Sequence, residues 1–434
     1  LLATGLLLGA AVLAPLAAAA GLFGPRSYLL LAQDSAELRP YGGFVGTYGV
    51  VELRWGRIAG VDYGDSLALD DVYDERLDEG EIEEPFEPRH LYAASDSPDF
   101  PTAARAIAET YRKITGDRID GVVALDPEAA SGLLELVGPL AVPGEAEPFT
   151  ASNVLGLVLK HTQNFESEVE DVERKQIVFD LGSTLASRLR ELPLYRWPQV
   201  AAALGRAADE RHIQAHFRNP LLQSWVRRSG WDGAYRPLPP GEDFLAVVDS
   251  NEGYNKANLV TGQSLDYRVV LGPSGEATAT LTVAYRNRGT AGLGFSTAGM
   301  PYLHQATYEA GVQVYAPPGS RRLVGAPAAP AGDGPDEPDS DLGRAVFQQR
   351  VAVSPERTET LTFAYRLPDR PAAGGRIDYL LSVRKQAGTV AVPFRLTVVG
   401  PDGWRVMGTA GGNMTAETTL VVDRRFAVSF APVG

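Results

Sequence analysis

The stretch Tyr28-Leu-Leu-Leu-Ala-Gln-Asp-Ser-Ala-Glu-Leu-Arg-Pro-Tyr-Gly-Gly-Phe-Val-Gly-Thr-Tyr-Gly49 sets an apolar run against a polar, glycine-rich one. Residues 28–32 have the length and composition of a buried strand. Gln33, Asp34, Ser35, Glu37 and Arg39 follow, and they read as a loop at the carboxyl end of that strand, where α/β sheets hold ligands. Gly42, Gly43, Gly46 and Gly49 then allow the backbone to approach a ligand closely or to take positive φ.

Outward from this stretch, residues 50–53 and 58–61 read as two short strands about a Trp55-Gly56-Arg57 turn. Helical spacing of Ala104, Ile107, Ala108, Tyr111 and Ile114 predicts a helix with Thr102 as N-cap and Gly116 as stop. Residues 120–125 form a buried strand, and Pro127 opens a helix that Asp126 caps and Gly138-Pro139 closes. Residues 152–161, 171–189, 200–208 and 213–226 continue as helices, and 244–248 reads as a strand returning to the first sheet. The expectation is an α/β domain over 26–260, with a central mixed sheet and flanking helices. From Gln263 the period becomes alternation, and eight strands ending with 418–430 predict an all-β, immunoglobulin-like sandwich over 261–434. A Pro, Gly and Asp-rich stretch places a flexible loop near 326–343.

The chain has 434 residues and a net charge of −14, which argues against nucleic acid as a partner, since phosphate neutralisation needs clustered Lys and Arg. It has no cysteine, so disulfides and thiolate chemistry do not arise. His212 and His216 have the i, i+4 spacing that could share a metal on one helix face, against a structural role for both. Between Asp62 and Glu87 twelve acidic side chains face a single Arg76. That run reads as a solvated segment, or as one in which Asp62 and Asp65 hold Mg²⁺. Residues 1–25 carry no charge and are long enough to cross a hydrocarbon core of about 30 Å. They read as a membrane anchor or a signal segment, the anchor being favoured, which makes this a single-pass protein of the cell membrane with its main domains extracytoplasmic.

Five motifs occur in order: Glu37-Leu-Arg-Pro-Tyr-Gly-Gly-Phe-Val-Gly46, Ser97-Pro-Asp-Phe-Pro-Thr102, Asp120-Gly-Val-Val-Ala-Leu-Asp-Pro127, Glu173-Arg-Lys-Gln176 and Val248-Asp-Ser-Asn-Glu-Gly-Tyr-Asn-Lys-Ala-Asn258. Through them the sequence resembles the bacterial domain-of-unknown-function family 4012. These are envelope proteins similar in turn to the LytR-CpsA-Psr (LCP) glycopolymer phosphotransferases. The resemblance implies an LCP-like fold, with Arg39 and Arg174 on a pyrophosphate and Lys175 standing where the phosphotransferases have glutamine. It implies a catalytic set of Asp65, Arg39 and Arg174, and a ligand set of Gln33, Asp34, Arg39, Gly43, Arg174, Lys175, Gln176, Asn251 and Lys256. Partners would be the bacterial membrane, a polyprenyl-phosphate lipid and a cell-wall glycopolymer, with no organic cofactor.

The sequence departs from the phosphotransferases in two places. Gly64-Asp65 stands where they carry an arginine before an aspartate, and Glu166 to Asp171 where they carry further arginines. Each functional reading also has a plainer one. Arg39 could pair with Glu37, Arg174 with Glu170, Asp99 could serve a helix terminus, and residues 251–258 could be a connector whose side chains satisfy their own backbone. At the level of the whole chain the alternative to a transferase is a noncatalytic envelope module whose sandwich binds polysaccharide or protein. Exposed Trp404 and Tyr315 lining a groove would mark sugar binding, whereas an edge strand without such a groove would mark protein contact.

Overall fold

The computed structural model describes residues 17–78, 90–162, 171–290, 306–323, 339–369, 375–409 and 411–433. The chain divides into two compact units, Leu1–Ser35 with Tyr41–Ala234, and Ala36–Pro40 with Tyr235–Gly434. The division falls at residue 234, whereas the sequence placed it at 260.

The first unit runs β1 (Arg26–Arg39), β2 (Gly42–Arg54), β3 (Arg57–Asp65), α1 (Ser66–Asp78), α2 (Phe100–Thr115), β4 (Gly121–Leu125) and α3 (Pro127–Val137). It continues with α4 (Val154–Thr162), α5 (Asp171–Arg190), α6 (Trp197–Asp209), β5 (Ile213–Phe217) and α7 (Pro220–Ser229). The sheet order is β3-β2-β1-β4-β5, with β1 and β4 parallel and the outer pairs β2–β3 and β4–β5 antiparallel. This is the mixed sheet expected. Leu29, Leu31, Val122 and Ala124 pack in one core with Phe100, Ala104 and Ile107 of α2, while a second core gathers Leu134, Phe149, Leu157, Leu181 and Val200. Full burial of a leucine such as Leu31 is worth about 1.5–3 kcal/mol.

Local chemistry explains the element ends. Asp99, not Thr102, is the N-cap of α2: its carboxylate accepts the Thr102 N–H at 3.1 Å, and Pro101 occupies the first turn where its missing N–H costs nothing. Gly116 ends that helix at φ +85°, as expected. Asp126 caps α3 through the Glu128 and Ala129 N–H groups, which bears out the capping reading.

Three segments differ from the expectation. Residues 33–39 are not a loop, because β1 continues to Arg39 and the chain reverses at Pro40-Tyr41 into β2. Residues 213–217 are a strand instead of the start of a helix, since pairing with β4 satisfies their backbone, and the helix starts only after Asn219 caps it. Residues 66–78 of the acidic run are helical, while 79–89 lie outside the described residues.

The second unit begins with β6 (Asp243–Asn251), the strand expected to return to the first sheet, followed by β7 (Thr261–Leu271), β8 (Ala277–Asn287), β9 (Tyr308–Ala316), β10 (Arg321–Arg322) and β11 (Asp339–Asp341). Then come β12 (Arg344–Val353), β13 (Thr358–Leu367), β14 (Ile377–Arg384), β15 (Val392–Val399), β16 (Trp404–Val406), β17 (Asn413–Leu420) and β18 (Arg424–Pro432). Two sheets result, β10-β13-β8-β7-β15-β17 and β11-β12-β9-β6-β14-β18-β16, and residues of both share one apolar core. The strand expected over 418–430 is two strands, because the chain turns between Leu420 and Arg424. Two pairings are parallel, β6 with β14 and β7 with β15, so the sheets depart from the purely antiparallel immunoglobulin pattern.

No helix among the described residues is long and apolar enough to cross a membrane. Residues 1–16 of the expected anchor, and 324–338 of the expected flexible loop, lie outside the described residues.

Candidate functional site

Two of the quoted motifs meet within the second unit, to which residues 36–40 belong. Glu37 and Arg39 are two apart on β1, so their side chains share a face. Arg39 Nη2 donates to Glu37 Oε1 at 2.6 Å, and Arg39 Nη1 donates to the Asn251 carbonyl at 3.2 Å. The guanidinium lies 6.0 Å from the ring centre of Tyr254, whose backbone sits at φ +49°. Asn258 Oδ1 accepts from the Leu38 N–H at 3.2 Å and from Asn251 Nδ2 at 2.8 Å, joining the two motifs a second time. Asn251 Oδ1 accepts the Gly253 N–H and Asn255 Oδ1 accepts the Ala257 N–H, so the loop closes on itself through Asx turns. Asn251 and Lys256 are buried. The connector reading of residues 251–258 describes this loop, and the pairing of Arg39 with Glu37 is the plainer of its two readings.

Beneath the loop lies a carboxyl group that sequence reasoning passed over. Asp249 is buried, and its carboxylate accepts from Tyr285 Oη at 2.8 Å, Tyr308 Oη at 2.9 Å and Gln263 Nε2 at 3.0 Å. Burial pushes its carboxyl up to about 6, against the opposing pull of those hydrogen bonds. Gln386 accepts the Asp249 N–H and donates to the Asp249 and Arg39 carbonyls, tying β6 to the end of β1. The available signal was parity: Gln263, Tyr285 and Tyr308 each fall on the core-facing register of a strand.

The remaining candidates belong to the first unit. Asp65 is buried and accepts the Leu67 N–H at 2.8 Å, at the start of α1. Asp62 is exposed, and three residues of regular strand put it on the opposite face from Asp65. Strand alternation thus sets the two carboxylates on opposite faces, and no group of three or more His, Asp or Glu fit for a metal occurs among the described residues. Asp70, one turn into α1, accepts the Leu91 N–H at 2.9 Å beside His90, and burial pushes its carboxyl up to about 6. Gln33 is buried, donating to the Tyr41 carbonyl at 3.4 Å; Asp34 is partly buried. A Cβ on Gly43 would lie 2.3 Å from the Asp34 carbonyl, so this glycine admits the neighbouring strand where a ligand had been expected. Arg174, Lys175 and Gln176 lie in the first turns of α5; Gln176 is exposed, and the side chains of the other two, like Glu170, lie outside the described residues. His212 is not on a helix with His216. Its Nδ1 lies 2.7 Å from Asp126 Oδ2, while His216 is in β5 with its pKa lowered by burial.

A separate cleft of about 300 Å³ opens on the outer face of the six-stranded sheet. Strand register sets three charges side by side on its floor: Asp266 of β7, Arg395 of β15 and Glu417 of β17. Arg395 lies 2.9 Å from Glu417 and 3.9 Å from Asp266, and Ser264 and Thr282, on the same face, add hydroxyls. The aromatic lining expected for a sugar groove is not here, since Tyr315 is buried and Trp404 packs on the core.

Residues 24–162 match the family described as protein of unknown function (DUF4012). Over that stretch the chain resembles DUF4012. The DUF4012 match holds Gln33, Asp34, Arg39, Gly43, Asp62 and Asp65, and it ends before Arg174, Asn251 and Lys256. Among solved structures, this DUF4012-like chain is similar to the Lin1025 protein from Listeria innocua, at 12% identity over 51% of this chain and 85% of that one, with a TM-score of 0.29. It is also similar to TagV of B. subtilis (11% identity, 48% and 80% coverage, TM-score 0.28) and to TagT bound to LI-WTA (10% identity, 49% and 76% coverage, TM-score 0.27). No curated protein matches it.

Proposed function

We propose that this chain is a noncatalytic cell-envelope protein that binds a glycopolymer through polar contacts in the cleft on its six-stranded sheet, without the aromatic stacking that Trp404 and Tyr315 would have supplied. The observation that carries the reading is the row Asp266–Arg395–Glu417, flanked by hydroxyls in a cleft of about 300 Å³. Carboxylates accept hydrogen bonds from sugar hydroxyls, and a planar guanidinium donates two parallel bonds to adjacent oxygens.

A phosphotransferase has less support from the geometry. Arg39, which would hold the pyrophosphate, is tied to Glu37 and to a carbonyl, and Asp65 is engaged at the start of α1. The envelope setting draws on the DUF4012 match and on the charge-free residues 1–16, which would attach the chain to the membrane with both units outside the cytoplasm. The test is binding of the full chain to purified cell-wall polysaccharide beside its Arg395→Ala variant. Saturable binding weakened by the substitution supports the reading, and binding that Arg395→Ala leaves unchanged overturns it.

A further inference from the structure

The tip of the β2–β3 hairpin is built on the last residues of the charge-free N-terminal run. Trp55 N–H donates to the Gly21 carbonyl at 3.2 Å, Gly56 N–H to the Ala20 carbonyl at 2.7 Å, and Tyr28 Oη to the Ala19 carbonyl at 3.0 Å. Gly21 is required there: at φ +68°, a Cβ would lie 2.5 Å from the Leu53 carbonyl oxygen. Residues 17–24 and the hairpin tip are therefore one built surface within the first unit.

That surface is apolar and open. Phe23 is 73% exposed, Trp55 69%, Ile58 45% and Leu22 42%, and Arg54 and Arg57 flank the turn. Trp55 sits at φ +52° and Gly56 at φ +74°, the backbone of a two-residue turn whose first position favours asparagine, aspartate or glycine. A bulky aromatic at positive φ points to a use other than turn formation.

We propose that Leu22, Phe23, Trp55 and Ile58 enter the interfacial layer of a phospholipid bilayer, with Arg54 and Arg57 at the headgroups. The occupant follows from the chain itself. Residues 1–16 are uncharged throughout, and they lead directly into the surface that holds Trp55. An uncharged run of this kind partitions into hydrocarbon, and aromatic side chains beside its end gain most at the membrane–water boundary, where their rings are apolar and their edges polar. Arginine beside them meets lipid phosphates.

The absence of cysteine makes the test site-specific. Full-length Trp55→Cys, Ile58→Cys and, as control, Thr360→Cys on the outer face of the six-stranded sheet each receive an environment-sensitive fluorophore. The proteins are then reconstituted into phosphatidylcholine–phosphatidylglycerol vesicles with and without spin-labelled lipid. Emission at positions 55 and 58 is expected to shift to the blue and to fall several-fold with the quencher lipid, while position 360 keeps its water-exposed spectrum. Two labelled positions keep the result readable if one variant does not fold. Water-like, unquenched emission at both tip positions overturns the proposal, as does failure of the chain to stay on vesicles. A blue shift without lipid quenching also overturns it, and assigns the tip to a second protein surface. The vesicles contain no glycan, so the outcome is separate from that of the glycopolymer reading.

Discussion

Tyr285 donates its phenolic hydrogen to Asp249 Oδ1 at 2.8 Å in the interior of the second unit, and Tyr308 does the same to Oδ2 at 2.9 Å. Burial still outweighs both bonds, leaving the Asp249 carboxyl raised to about 6. The folded state therefore holds this proton more tightly than the unfolded chain, whose carboxyl titrates near about 4. Its stabilising contribution is complete below that value and is lost as pH rises through about 6. Urea unfolding of the second unit followed from pH 4 to pH 7 should show wild type losing of the order of 2 kcal/mol more than Asp249→Asn. Parallel pH profiles for the two proteins would contradict the assignment.

Arg39 and Glu37 form a partly buried pair, and removing one partner leaves the other charge uncompensated. Arg39→Ala is expected to destabilise by about 3 kcal/mol, and Glu37→Gln with Arg39→Ala by less than the sum of the single changes. A double-mutant cycle in urea checks this. Additive losses would mean that the pair is not coupled.

Asn251 serves two turns at once, so Asn251→Ala should cost about 1–3 kcal/mol by leaving Gly253 N–H and the groups around Asn258 unsatisfied. The denaturant midpoint would fall with the slope unchanged. An unshifted midpoint would argue that water replaces the side chain at no cost.

Gly43→Ala places a methyl group 2.3 Å from the Asp34 carbonyl, and the strands must separate to admit it. A loss of about 1–3 kcal/mol is expected for the first unit, read as a lower thermal midpoint. Full retention of stability would contradict the close approach of β1 and β2.

Much of the fold was legible because its signals are local. Caps at Asp126 and Gly116, the helical stripe from Ala104 to Ile114, and the alternation of β7, β8, β12 and β13 each depend on a few neighbouring residues. What escaped depends on partners distant in sequence. Residues 213–217 have helical spacing but become a strand because β4 offers an edge, and 33–39 look like a loop because their polar side chains alternate against surroundings the sequence does not display. The site was less legible still. Arg39 and Asn251 do meet, but as parts of one internal hydrogen-bond network, while the row Asp266–Arg395–Glu417 arises from the register of three strands and has no motif of its own.

The most direct test of the account is a calorimetric titration of the full chain with soluble cell-wall polysaccharide, using wild type, Arg395→Ala and Arg39→Ala. We expect saturable binding by wild type, a loss of about tenfold or more in affinity for Arg395→Ala, corresponding to about 1.4 kcal/mol, and little change for Arg39→Ala while it remains folded. Binding abolished by Arg39→Ala and indifferent to Arg395→Ala would contradict the account and return the site to the end of β1.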